Sequence, residues 1–290
     1  VGRAVRRARA RARGSIRAVA APARARPRPT GLRAAYAARE STLLPLATFV
    51  ALLAGWELGA QTGALETFFF SSPTRIIAAG WQEIQLPRFW NDVSVSGQEF
   101  LVGYLAAIAI AVPFGVVTGW YRSAHDFFDP WLSAFNATPR LALLPLVVLW
   151  VGLGMESKIV IVFLGVFFPV VINTFHGVRT VDANLVEVAR SFGASGRRRL
   201  LTVVLPSVVP FALVGMRIGV GRAVGGVLVG EFYTSNAGLG NLVFRAGQTL
   251  QTDRLLFGAL FITGLALLGF RAIGSLERRF GAWRPRVGSA

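Results

Sequence analysis

The sequence predicts an all-α, polytopic membrane protein with about six transmembrane helices, and three observations carry that prediction. Hydrophobic residues make up 53% of the 290-residue chain and charged residues only 16%, where soluble domains carry about 25% charged residues. The mean hydropathy is +0.54. The apolar residues fall in blocks approaching the ~20 that a helix needs to cross a ~30 Å hydrocarbon core.

The chain opens on a different kind of sequence. Residues 1–40 hold twelve arginines against one acid, Glu40, and so account for +11 of the formal charge of +17. This Arg/Ala/Pro-rich segment has too few large apolar residues to bury a core, and it reads as a disordered cytoplasmic tail. It either hugs anionic lipid or is an upstream extension of a chain that begins at Val1. A nucleic-acid-binding arm is the sharper and weaker reading, and no nucleic-acid partner is expected. Arg6 and Arg7 lie over thirty residues before the first apolar run, too far for a twin-arginine export signal.

Residues 41–290 form the membrane domain, with its core at 97–275. The first span is Leu43–Gly63. Ala64–Val95 is more polar and reads as a loop plus a short interfacial helix. Gly97–Trp120 is the second span, with Pro113 as a tolerated kink. The third, around "LALLPLVVLWVGLG" (Leu141–Gly154), is short and proline-bearing, so it either starts near Trp131 or breaks at Pro139. Lys158–Phe175, Val208–Phe232 and Leu255–Ile273 complete the set.

Lysine and arginine concentrate in short cytoplasmic loops. With the N-terminus inside, the inner segments carry Arg122, Arg140, Arg179, Arg190, Arg197–Arg199, Arg278, Arg279, Arg284 and Arg286. The outer ones hold Arg75, Arg88, Arg245 and Arg254 against Glu66, Glu83, Asp92, Glu231 and Asp253. Both termini are therefore expected in the cytoplasm.

The loop at 176–207 reads as a short helix, a turn and a second helical arm. Asp182 and Glu187 favour a helix N-terminus. Leu185, Val188, Ala189 and Phe192 make an apolar stripe, and Gly193 permits the left-handed turn that stops a helix. Such a helix suits either a groove on a partner protein or the lipid surface.

The spacing Glu187-x-Ala189-x3-Gly193, nine residues, Val203-x-Leu205-Pro206 resembles the EAA loop of ABC-importer permeases. It departs only at Val188 and Val203. The resemblance extends over residues 43–280. "GVFFPVVINTFHGVRTVD" and "GEFYTSNAGLGNLV" look like the branch that imports nitrate, aliphatic sulfonates or taurine. It implies a type I importer (MetI-like) permease fold in the bacterial cytoplasmic membrane, with the loop as a coupling helix seated on an ATPase. Glu187, Ala189, Phe192, Gly193, Ala194, Leu205 and Pro206 would be the coupling residues. The implied partners are ABC ATPase subunits, an extracytoplasmic solute-binding protein and a second permease copy in a homodimer. ATP and Mg would sit on the ATPase, and this chain would have no catalytic residues and bind no cofactor.

The remaining chemistry is sparse. There is no cysteine, the two histidines (His125 and His176) are far apart, and no P-loop motif occurs. No metal is expected. Gly193-Ala194-Ser195-Gly196 fits the G-x-S-G of rhomboid proteases, but Arg197–Arg199 follow at once. A secondary transporter would place ionisable residues at mid-membrane, and here they are few: Glu57, Glu99, Arg217 and Arg222. On the fifth span Gly215, Gly219, Arg222, Gly226 and Gly230 share a stripe ~80° wide that should face protein. Arg222 on that stripe is a pathway candidate, or a structural ion pair with Glu99 or Glu57.

Overall fold

The computed structural model describes residues 32–234 and 236–280. Every regular element among them is helical: α1 (Leu32–Gln61), α2 (Thr67–Phe70), α3 (Pro73–Ile84), α4 (Pro87–Trp120), α5 (Arg122–Ala137), a 3-10 turn (Arg140–Leu143), α6 (Leu144–Val151), α7 (Met155–Arg179), α8 (Ala183–Ser191), α9 (Gly196–Arg199), a π turn (Leu200–Val204), α10 (Leu205–Thr234), α11 (Leu239–Gln248) and α12 (Thr252–Phe280). The expected tail lies outside the described residues up to position 31, and α1 already begins at Leu32.

Contacts divide the chain at Leu58/Gly59. Up to Leu58 the described chain is one helix, whose Leu43, Leu44, Leu46, Phe49 and Leu52 are all more than half exposed. That is the surface of a helix made for lipid.

Beyond Gly59, α4, α7 and α10 form the centre. A Cβ at Gly103, Gly115 or Gly119 of α4 would run into Val162, Thr174 or Val178 of α7, each 59 positions further along. A constant positive offset means that α4 and α7 lie parallel. On α10, Gly215 abuts Pro169 and Val170, Gly219 abuts Val166, Gly226 abuts Val162, and Gly230 abuts Lys158. The register falls as α10 rises, so α10 is antiparallel to α7. Tyr104, Ala107, Ala111, Val162, Val166, Val170, Val220 and Ala223 fill the space between them. Arg217–Glu277 and the Gly269–Val220 contact set α12 antiparallel to α10.

Among the described residues five continuous helices, not six, are long and apolar enough to cross a membrane: Leu43–Gln61, Pro87–Trp120, Met155–Arg179, Gly196–Tyr233 and Thr252–Phe280. The expected third span is broken instead into α5, the 3-10 turn and α6. Thr138 takes extended backbone (φ −67°, ψ 131°), as the residue before a proline must when the ring crowds the helical conformation. Gly152, at φ +97°, ends α6. The pieces still make a crossing. Because α4 and α7 are parallel, the chain must return from the level of Trp120 to that of Met155, which is the level of Ser96 on α4. Those 24 residues of α4 rise about 36 Å, more than the ~30 Å apolar core.

The second helix also starts earlier than the expected Gly97. Pro87 opens it, as proline does at a first helical position, and its first three turns are polar.

Candidate functional site

The loop between α7 and α10 is fixed by local bonds. Asp182 is the N-cap of α8, and its Oδ1 accepts the Asn184 amide at 2.9 Å. At the other end Gly193 has φ +76°. Its amide donates to Arg190 O at 2.9 Å, and that of Ala194 donates to Ala189 O at 3.0 Å. This pair of bonds is the glycine-terminated Schellman stop. Glu187 is mid-helix, five positions past the cap that holds the N-terminus, and its carbonyl accepts the Ser191 hydroxyl. Ser195 caps α9, accepting the Arg198 amide at 3.4 Å, and is exposed.

The arm then re-enters through the π turn, in which the Leu205 amide reaches back to Leu200 O. A wider turn here makes room one turn ahead of Pro206, whose ring would otherwise press on the Thr202 carbonyl. Leu205 and Val181 pack on Val116, Val178, Val204 and Val208, tying both arms to the ends of α4 and α7. The apolar residues of α8 are not so covered. Leu185 and Val188 are about half exposed, and Phe192 is 87% exposed.

At the opposite end of the bundle lies a buried polar cluster that hydropathy does not reveal. The amides of Gly238, the N-cap of α11, and of the first two residues of α11 each meet a side chain from another helix. Gly238 N donates to Asp92 Oδ1 at 2.8 Å, Leu239 N to Ser96 Oγ at 2.8 Å, and Gly240 N to Glu231 Oε2 at 2.5 Å. Ser96 Oγ in turn donates to Glu231 Oε1 at 2.5 Å. These bonds satisfy the donors that a helix start leaves open. They also explain why the polar opening of α4 is helix rather than loop. Just below, Lys158 Nζ sits 2.7 Å from Glu99 Oε1, with both side chains buried. The signal for this pair in sequence is the chain's one lysine at the head of an apolar run.

The glycines of the α10 stripe, Gly215, Gly219, Gly226 and Gly230, face α7. Arg222 lies among them with its carbonyl against Gly165, while its side chain is exposed. The expected Glu99–Arg222 pair does not form, because Glu99 is taken by Lys158. Arg217, off the stripe, pairs with Glu277 at 3.6 Å.

Residues 111–282 match the protein family described as binding-protein-dependent transport system inner membrane component. The chain is 33% identical over 236 residues to the putative aliphatic sulfonates transport permease protein SsuC of Escherichia coli, covering 81% of this chain and 90% of that one. It is 30% identical over 252 residues to the Bacillus subtilis protein of the same name, covering 87% and 90%. To the taurine transport system permease protein TauC of Escherichia coli it is 30% identical over 249 residues, covering 84% and 90%. Among solved structures, a chain of the MetNI methionine ABC transporter in inward-facing conformations matches its fold with a TM-score of 0.59. That match spans 67% of this chain and 98% of the other at 18% identity. With relatives aligned over most of their length and the matched segment running from α4 through α12, this chain belongs to the binding-protein-dependent transport system inner membrane components, the membrane-spanning permeases of ABC importers.

Proposed function

We propose that this permease carries small sulfonate-type anions, of the class named for its SsuC and TauC relatives, and is driven by a separate ATPase that docks on α8. The observation that carries the docking is Phe192. It is a large apolar side chain, 87% exposed, at the tip of a helix whose ends are both fixed by capping bonds. A rigid helix with an unburied apolar end is the shape of a knob for a partner groove. Ala189, Gly193 and Ala194 set the turn beneath it, and Leu205 and Pro206 anchor the returning arm. Glu187, exposed on the same helix, would meet the ATPase by charge.

ATP and Mg belong to the ATPase in this reading, and solute is delivered by an extracytoplasmic binding protein. Two copies of the permease would form the pathway, with α8 and both termini in the cytoplasm. Binding of ATP can drive the cycle only if it favours one permease conformation over the other.

The test is uptake of radiolabelled taurine and of short alkanesulfonates by cells expressing the permease with its ATPase and binding protein, alongside co-purification of the ATPase. Phe192→Ala should weaken co-purification and uptake together, through lost apolar burial of about 2 kcal/mol. Arg198→Ala should leave both near wild type. Full co-purification by Phe192→Ala would remove α8 as the docking element. Absence of sulfonate uptake by the wild type would remove the substrate class.

A further inference from the structure

Charged side chains along the crossing helices are costly unless they are paired or face water. Lys158 and Glu99 hold each other, and Arg217 holds Glu277. Glu231 receives Ser96 and Gly240. The Arg222 side chain makes no hydrogen bond or ion pair with any described residue. It lies deep in α10, 17 residues from Leu205 and 12 from Thr234, which places it roughly 26 Å and 18 Å from the ends.

What surrounds Arg222 is a cleft of about 400 Å³, lined by Arg222, Gly225 and Gly226 of α10, Gly165 of α7, and Asn136 and Thr138 at the broken crossing. A Cβ on Gly225 would meet nothing within 4 Å, so the cleft is open one turn on from Arg222. Among the described residues that line it there is no carboxylate. The break at Thr138–Pro139 adds an independent observation. Non-helical backbone at membrane depth is tolerated only where protein buries it or where it lines a water-filled cavity. An unpaired cation on the cleft calls for water there, and a water-filled cleft is one of the two settings that tolerate the interrupted backbone beside it.

We infer that Arg222 is an anion-binding group within the membrane, taking the oxyanion head of a small sulfonate in this cleft. The inference rests on the sulfonate reading proposed above and adds the residue that recognises the charge. A planar guanidinium can present two N–H groups to two sulfonate oxygens, whereas an ammonium offers a point charge. The cleft volume falls in the range of small-molecule sites. Gly225, three positions on, leaves room for the short chain behind the head.

The test uses the whole complex, permease with ATPase and binding protein, in lipid vesicles, with ATP-driven uptake of radiolabelled taurine and ethanesulfonate as the readout. Arg222→Gln should assemble with the ATPase yet lower uptake at least about tenfold, the scale of a lost charge-assisted hydrogen bond. Arg222→Lys should recover part of that loss. Gly225→Leu fills the cleft with the charge intact, and should also depress uptake. If Arg222→Gln does not assemble, Gly225→Leu alone decides. Wild-type uptake in either assembled Arg222→Gln or Gly225→Leu overturns the inference. A wild-type complex that carries no sulfonate overturns the substrate reading instead.

Discussion

Lys158 and Glu99 face each other at 2.7 Å with side-chain exposures of 6% and 0%, so neither charge can turn to water if the other is removed. Breaking a buried pair from one side costs about 3–5 kcal/mol, while replacing both partners is often near neutral. Lys158→Met should therefore lower the melting temperature of the detergent-purified permease sharply, and adding Glu99→Gln should restore most of it. Equal melting of the single and double variants would mean that the pair is not what holds α4 to α7 at this level. Gly193 is governed by a different cost. A Cβ there would meet nothing within 4 Å, so substitution is penalised only through its φ of +76°. A β-branched side chain resists that conformation by about 1–2 kcal/mol, whereas asparagine visits it. Gly193→Val should insert normally but lose ATPase co-purification and uptake together, and Gly193→Asn should keep most of both. If Gly193→Val assembles and transports like wild type, the angle of this turn does not matter to coupling.

At the scale of elements, glycine decides how close the central helices come. A Cβ at Gly115 would lie 2.7 Å from Thr174 Cβ and 2.8 Å from the Val171 carbonyl, while at Gly264 of α12 it would meet nothing within 4 Å. Gly115→Leu should abolish the folded peak in size-exclusion chromatography, since overpacking costs 1–3 kcal/mol or more. Gly264→Leu should leave that peak unchanged. The α10 stripe was legible because small residues recur on one face of one helix. The matching glycines on α4, at 103, 115 and 119, were not, because their spacing has meaning only once α7 is known to lie alongside. The α8 loop was legible because its caps are local: Asp182 and Gly193 act on residues within a few positions. The polar opening of α4 was missed for the converse reason. Asp92 Oδ1 and Ser96 Oγ accept the amides of Gly238 and Leu239, 146 and 143 positions away, and hydropathy can only score them as loop. That clamp is itself testable. Ser96→Ala removes the acceptor for Leu239 N and a donor to Glu231, at about 1–2 kcal/mol. Hydrogen exchange should then quicken at the start of α11 and not at α8.

For the whole molecule, the number of crossings follows from register and not from hydropathy. Among the described residues five helices are continuous and apolar, and the four of them from Pro87 onward would bring the chain back to the side on which Pro87 lies. The parallel packing of α4 and α7 forbids that for the part from Pro87 onward. Gly103, Gly115 and Gly119 meet Val162, Thr174 and Val178 in the same order, so the segment between Trp120 and Met155 has to travel back along the full height of α4. Its two helices, of 16 and 8 residues, supply about 24 Å and 12 Å of rise, together matching the roughly 36 Å that the register demands. The crossing is hidden from hydropathy because a helix stopped before Pro139 presents no single apolar run of sufficient length. The cytoplasmic side proposed for α8 rests on arginine placement, since Arg179, Arg190 and Arg197–Arg199 gather at that end and such residues concentrate in cytoplasmic loops. A reporter active only outside the cytoplasm should therefore give signal after Gln85 and after Gly152, and none after Tyr121, Gly193 or Phe280. The Gly152 fusion is the decisive one. Signal there equal to that after Gln85 requires the broken segment to cross, and silence there, with Gln85 active, would mean that α5 and α6 return no further than one face and that the parallel register of α4 and α7 is wrong.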